Sequence, residues 1–340
     1  MAYDCQVLIC NQFGVAKAEI HPAIEFVSWR LNNVGRAKMS LPWTDAKCTK
    51  DNLQYGNRLV IQWDNGLPDW GGVIDTPRSR TQGITRFTAY SAERLLDWRV
   101  TAKAREFSAK TPGYIAKTLL SDENAERSTG IDEGTIAETG TERSINYHYH
   151  DLLRQYRELA RLTGEDFCVA PTFSSGVLTF ALNWYNPRGT DYSDSVWLNT
   201  ANVIENKTKL DEQGPIHNRV IVAGDGQTWG DERLDSISVD TTSQAAYDYR
   251  EYSEKQSATV QTTLDANADA ILAEVKDPRN VLSVHVTNTA PALYSAYGIG
   301  DTVTADLWTG NAEWWYHAAV RVIAREWYPN DTCRLEVQET

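Results

Sequence analysis

The feature that most constrains the fold is a hairpin pattern that occurs near both ends of the chain. Toward the carboxy terminus, Tyr297-Gly298-Ile299-Gly300-Asp301 leads into Thr302-Val303-Thr304-Ala305, a turn around Thr309-Gly310-Asn311, and a return through Trp314, Trp315, Tyr316, Val320, Val322, Ile323 and Trp327. Toward the front, Tyr55-Gly56-Asn57 leads into Leu59-Val60-Ile61-Gln62-Trp63, a turn around Asp64-Asn65-Gly66, and a return through Trp70-Gly71-Gly72-Val73-Ile74. Short runs rich in β-branched and aromatic residues, joined by Asn/Asp/Gly turns that accept positive φ, read as β-hairpins. The identities are too few to establish a duplication from sequence. Two related β-modules, one at each end, are the expectation to test.

The rest of the chain fits around them. Gln6 to Cys10, Ala23 to Leu31 and Arg36 to Leu41 are short extended runs, the last closed by Pro42, which cannot donate to a ladder. Ile84 to Ala89 alternates, and residues 90 to 100 finish a unit whose turn spacing predicts a sandwich or barrel over 1–104. Thr111-Pro112 predicts a capped helix start with Tyr114, Ile115, Thr118 and Leu119 on one face. Leu152, Tyr156, Leu159 and Ala160 recur at helical spacing before Gly164, the expected left-handed cap. With the hairpin Asp166 to Ala170 and Val177 to Leu182, residues 105–198 read as an α+β unit. Strands return at 199–223, clearest in Val220-Ile221-Val222. An acidic excursion and a helix through Leu264, Ala268, Ile271, Leu272 and Val275, stopped by Asp277-Pro278, make an insertion over 224–279. Residues 280–340 complete the second β-module.

Composition narrows the class. The 340 residues are 41% hydrophobic, with 12 Trp and 16 Tyr, ample for a folded core. A formal net charge of -13 weighs against a surface that grips phosphates, which needs clustered Lys and Arg. Met1-Ala2-Tyr3-Asp4 opens no signal-peptide pattern, and no apolar run approaches ~18 residues, so neither a leader nor a membrane span is expected. The five cysteines, Cys5, Cys10, Cys48, Cys168 and Cys333, form no Cys-x-x-Cys pair and read as buried free thiols of a reducing cytoplasm.

No motif carries strong chemistry. Gly224-x-Gly226 is followed by Gly230, so the dinucleotide fingerprint fails, and no phosphate loop, nucleophile elbow or His-Glu-x-x-His occurs. His148 and His150 would share a strand face and so could ligate a metal together, yet spacing marks no third ligand, and a hydrogen-bonded helix entry at His150-Asp151 is preferred. Glu165-Asp166 could be put forward as acid and base for sugar cleavage, a role that depends on a separation in space. No catalytic residue, cofactor or metal is expected. Trp63, Trp70, Trp308, Trp314 and Trp315 lie on the two hairpins and are the candidate protein-interface residues, with core packing or sugar stacking as the alternatives.

The order of short motifs resembles a known family. Trp29 through Gly35-Arg36-Ala37-Lys38-Met39-Ser40-Leu41-Pro42, Gly56-Asn57-Arg58-Leu59-Val60-Ile61, Trp70-Gly71-Gly72-Val73-Ile74 and Ala92-Glu93-Arg94-Leu95-Leu96-Asp97-Trp98-Arg99 are similar to the opening domain of siphophage baseplate hub proteins, the tail-associated family. Tyr147-His148-Tyr149, Gly164-Glu165-Asp166-Phe167-Cys168-Val169, Asn218-Arg219-Val220-Ile221-Val222-Ala223-Gly224, Tyr247 to Glu251 and Gly300-Asp301-Thr302-Val303 follow in the family's order, so the resemblance spans nearly the whole chain. It implies a mainly β fold with α+β insertions: two tail-tube-like β-barrel modules, at 1–104 and at 199–223 plus 280–340. It further implies a homotrimeric ring closing the distal end of a phage tail tube, matching a six-fold tube to a three-fold tip. The implied partners are a distal tail protein or tail-tube hexamer, a tape-measure protein and tail-tip fibre or receptor-binding proteins. Phage DNA would pass through without specific binding. The implied place is the virion's distal tail tip, after synthesis in the host cytoplasm. Two departures stand out. Tyr247-Asp248 replaces a frequent Tyr-Gly, so that turn is expected to differ, and the chain stops at Thr340, where many relatives carry fibre or hydrolase extensions.

Overall fold

The computed structural model describes residues 5–75, 79–81, 83–147, 149–204, 207–213, 215–224, 234–308 and 315–340. The first module contributes β1 (Cys5–Cys10), β2 (Ala16–Ile20), β3 (Ala23–Arg30), β4 (Arg36–Pro42), β5 (Arg58–Trp63), β6 (Trp70–Ile74), β7 (Ser79–Thr81) and β8 (Ile84–Ser91). In β4 the alternation is plain: Ala37, Met39 and Leu41 are fully buried between Arg36, Lys38 and Ser40. β6 and most of β1 and β5 are instead apolar on both faces, because both are covered there. Val7, Ile9, Leu59, Ile61 and Ile74 enter the main core, while Cys10, Val60 and Val73 face the α+β unit.

That unit comprises α1 (Arg94–Asp97), β9 (Arg105–Lys110), α2 (Pro112–Glu126), β10 (Asp132–Ile136), β11 (Arg143–Tyr147), α3 (Leu152–Thr163), β12 (Asp166–Ser174) and β13 (Val177–Tyr185). α3 begins where Asp151 accepts a hydrogen bond from the Arg154 amide at 2.8 Å and ends at Gly164, φ +70°, as the sequence pattern predicts. α2 differs in detail: Thr111 makes no side-chain capping bond, and the fixed φ of Pro112 supplies the start.

The remaining elements are β14 (Trp197–Leu198), β15 (Lys209–Gln213), β16 (Arg219–Ala223), β17 (Asp235–Val239), α4 (Thr241–Tyr247), β18 (Glu251–Lys255), α5 (Gln261–Val275), β19 (Arg279–Thr287), β20 (Thr302–Trp308), β21 (Trp315–Tyr328) and β22 (Thr332–Glu339). β16, expected in the second module, instead forms the centre of a separate sheet, β17-β16-β18, with Val220 and Val222 packed on Leu264, Ala268 and Ile271 of α5. The acidic excursion thus contains β17, α4 and β18; residues 225–233 of it lie outside the described residues. Among the described residues no helix is long and apolar enough to cross a membrane, and all five cysteines are free.

The two ends of the chain repeat one topology. β3, β4, β5, β6 and β8 stand in the spatial order β5-β6-β8-β4-β3, and β15, β19, β20, β21 and β22 stand in the order β20-β21-β22-β19-β15, every neighbour antiparallel. The registers match as well. The Gly56 amide donates to Ile74 O at 3.0 Å and Ile74 N to Asn57 O at 2.9 Å; Gly300 N donates to Val322 O at 2.8 Å and Val322 N to Asp301 O at 2.9 Å. Ile74 then pairs with Ala89 and Ala89 with Ala37, as Val322 pairs with Val337 and Val337 with Leu282. All six of these side chains are fully buried. Gly56 and Gly300 open the two units at φ +82° and +96°, where a side chain would be strained.

The expectation of two closed barrels is corrected. Among the described residues the strands of both units form one open 14-stranded sheet, whose main path runs from β15 to β2. The physical reason is the length of β21, 14 residues against five in β6. Its first half pairs with β20, and Ala324 to Trp327 run on to pair with Arg30 to Val27 of β3. A register shift between Val322 and Ala324 bends the strand at the changeover. A sheet of more than about ten strands must curl. This one wraps a single core that draws on both units, from Val7 and Met39 to Leu282 and Val337.

Candidate assembly interface

The seam between the two units is built of tryptophan. Trp63 is 9% exposed, with its ring 4.6 Å from Trp327 of β21 and 6.2 Å from Trp29 of β3. Trp70 is 1% exposed and donates its indole N–H to Ser28 O of β3 at 3.0 Å. Edge contacts between such rings add about 1 kcal/mol to the burial itself. These two interface candidates therefore lie inside the subunit, where they join its halves.

The other three part company. Trp314 lies outside the described residues; Trp308 is described through its backbone, which pairs with Trp315. Trp315 is 62% exposed, its indole N–H held by Asp306 at 2.7 Å. His317 Nδ1 lies 3.3 Å from the same carboxylate oxygen, and the His317 ring is 5.9 Å from that of Trp197. An indole of β21 oriented by a carboxylate of β20, beside an imidazole that leans on Trp197 of β14, is a rigid platform with little entropy left to lose on contact. Sequence reasoning passed over further exposed aromatics: Phe13 in the β1-β2 turn, Trp43 after Pro42, and Trp98 and Tyr149 at the entry to α3. Their signal was a large ring in a turn, where no strand face exists to bury it.

The α+β unit is tied to both halves through Asp166. Its carboxylate accepts from Asn32 Nδ2 in the β3-β4 turn at 2.8 Å, from the Arg188 amide at 2.9 Å and from Arg321 of β21; Asn32 Oδ1 returns a bond to the Phe167 amide at 2.7 Å. Arg321 also reaches Gly300 O at 3.0 Å and Arg188 O at 2.8 Å. Glu165 points elsewhere, accepting from Trp184 Nε1, and burial pushes its carboxyl up to about 7 against the opposing pull of that bond and of Arg143. Both carboxylates are 2% exposed and sit in separate networks, so no cleft admits a sugar between them. His148 lies outside the described residues; His150 is exposed, its amide donating to Thr101 Oγ1 at 3.0 Å. Among the described residues no three His, Cys, Asp or Glu side chains gather as metal ligands.

Where the three parts meet there is a cavity of about 340 Å³, walled by Trp29, Trp70, Glu93, Cys168, Arg188 and Ile299. Glu93 is satisfied by the Ser91 hydroxyl at 2.5 Å and the Val169 amide at 2.9 Å, and burial raises its pKa.

A sheet carrying one five-strand unit twice, with an α+β unit packed outside, defines a class: the fold is that of phage tail proteins. Solved structures similar over the whole chain include the tail protein from Neisseria meningitidis MC58, at 13% identity and TM-score 0.62 over 99% of this chain and 97% of that one. The 43 kDa tail protein of prophage MuSo2 from Shewanella oneidensis gives 10% and 0.59 over 98% of each, and prophage tail protein gp18 from Listeria monocytogenes EGD-e gives 12% and 0.58 over 98% and 94%. No protein-family model and no curated protein matches the chain. The likeness is to tail proteins and is one of fold.

Proposed function

We propose that the protein is a homotrimeric hub closing the distal end of a phage tail tube, adapting a six-fold tube to a three-fold tip and lining part of the DNA exit channel. The observation that carries this reading is the repeated five-strand unit with matched registers: three chains then offer six similar positions, two from each. The free edges support it further. β3, the outermost strand of the first unit, meets β21 of the second, whereas the corresponding strand β15 has no neighbour on its outer side among the described residues. A neighbouring subunit placed there continues the sheet, and a long open edge is otherwise a liability.

The subunit's role in this reading is structural, with no catalytic residue. The strip of exposed Trp315 and His317 with half-buried Trp197 serves contact with a distal tail protein, the tube hexamer, the tape-measure protein or tip fibres. Three copies carry a formal net charge of -39, three times -13. Some of that excess faces the channel, where repulsion screened over about 8 Å keeps a passing duplex from sticking. The same strip also favours one other reading, a carbohydrate-binding surface, since an exposed indole beside a carboxylate suits a sugar face. Light scattering and negative-stain imaging of the purified protein, with glycan binding measured in parallel, separate the two. A trimeric ring without saccharide affinity is expected; a monomer that binds glycans would overturn the hub reading.

A further inference from the structure

The outer face of α3 carries a charge pattern that packing does not explain. Its inner face is spent on Leu152, Leu153, Tyr156, Leu159 and Ala160. Arg154, Arg157 and Arg161 occupy the other side at i, i+3 and i+7, a row spanning about 10 Å. They form one wall of an open groove of about 690 Å³ whose opposite wall is the β3-β4 turn, Leu31, Asn32 and Asn33. Arg161 is engaged, reaching Glu254 and Glu274 at 3.1 Å each. Glu254 is in turn held by Tyr252 and Gln256. Among the described residues Arg154 and Arg157 form no ion pair. Glu158, half-buried on the same helix, also lines the groove; burial, then Glu254, raises its proton affinity against the pull of Arg161 and Arg154, so it is a weak counter-ion. In a chain of net charge -13, two exposed guanidinium groups lining one groove, neither in an ion pair among the described residues, are a recognition feature for carboxylates.

We infer that this arginine-lined groove docks an acidic surface of a second copy of the chain. Two arguments select that occupant. The chain is itself acidic, and its exposed run from Asp132 to Glu142 carries Asp132, Glu133, Glu138 and Glu142 against one lysine, Lys117, which pairs with Glu133 and Glu138. A cyclic ring is built from contacts between two different faces of the same subunit, so a basic groove on one face calls for an acidic counterpart on another. The inference rests on the ring reading above and adds to it which face makes the contact and by what chemistry.

The test uses the full chain in three forms: wild type, Arg154→Glu/Arg157→Glu, and Arg154→Lys/Arg157→Lys, with circular dichroism to confirm an unchanged fold. Self-association is followed by analytical ultracentrifugation at about 50, 150 and 500 mM salt, a range over which ion-pair contacts weaken. The expected result is wild-type association that falls with salt, weakened at least about tenfold by charge reversal and no more than about threefold by the lysine pair, since paired charges across an interface couple strongly. The salt dependence of the wild type stands as evidence even if the reversed variant fails to fold. A wild-type oligomer insensitive to salt and to charge reversal would overturn this inference and leave the ring reading intact. A strictly monomeric wild type would remove both. Duplex DNA retained by the wild type at about 150 mM salt and released by charge reversal would reassign the groove to nucleic acid.

Discussion

Glu165 gives the sharpest test of the packing. Its carboxyl is 2% exposed and held up to about 7 instead of the ordinary 4.5, chiefly by burial. In the unfolded chain the group ionises near 4.5; in the fold it keeps its proton until about 7. A raised acid pKa means that the native state binds the extra proton, so stability falls as pH rises between those values and is level above and below them. At ~1.4 kcal/mol per tenfold change in proton affinity, the whole loss is ~3 kcal/mol. Glu165→Gln removes the ionisation while keeping an oxygen for Trp184 Nε1. Urea unfolding followed by tryptophan fluorescence should therefore show the variant gaining on the wild type by ~3 kcal/mol between about pH 4 and pH 8. Any fixed cost of burying the new amide shifts both ends of that range equally and cancels from the difference. Groups depressed by partners, such as Asp122 and Asp240, act in the opposite sense below about pH 4 and are common to both proteins. A difference between variant and wild type that stays constant with pH would refute the reasoning.

Asp248 stands at φ +68° and ψ 169°, a conformation otherwise almost confined to glycine, and Asp248→Gly should raise stability by ~1 kcal/mol in thermal melts despite losing the bond from the Tyr249 amide. Trp63→Ala should cost ~3–5 kcal/mol by emptying the seam between the two units, whereas Trp315→Ala should change stability by less than ~0.5 kcal/mol; equal effects of the two on urea midpoints would contradict their assigned places.

The parts of the fold that were legible in sequence are those with local signatures. The Asp151 entry and Gly164 exit of α3, the Asp277-Pro278 stop after α5 and the Gly-Asn and Gly-Asp openings of β5 and β20 are each written within a few residues. The seam was not legible, because Trp29 pairs with Arg325 and nothing near either one names the other. That same gap misplaced Trp63 and Trp70. Alternation argued that so many rings could not all point inward, yet β6 is buried on both faces and β5 is buried except at Gln62. β16 was misassigned because a short strand with Val220 and Val222 fits any covered sheet. Asp248 takes a backbone conformation that favours glycine, which its own sequence does not announce. The arginine row of α3 could have been read at i, i+3 and i+7, but only the groove beside it gives the row a purpose.

The junction of β3 with β21 also sets a clock for biosynthesis. β3 lies within the first thirty residues to leave the ribosome, and its partner Ala324 to Trp327 follows about 300 residues later. At ~5–20 residues per second, that interval is ~15–60 s. Throughout it the nascent first unit carries one bare strand edge flanked by Trp29 and Trp63, a template for pairing with any neighbouring nascent chain on the same message. Crowded translation therefore favours mispairing, and slowing initiation or cooling the culture spaces the chains and lets each edge wait for its own carboxy terminus.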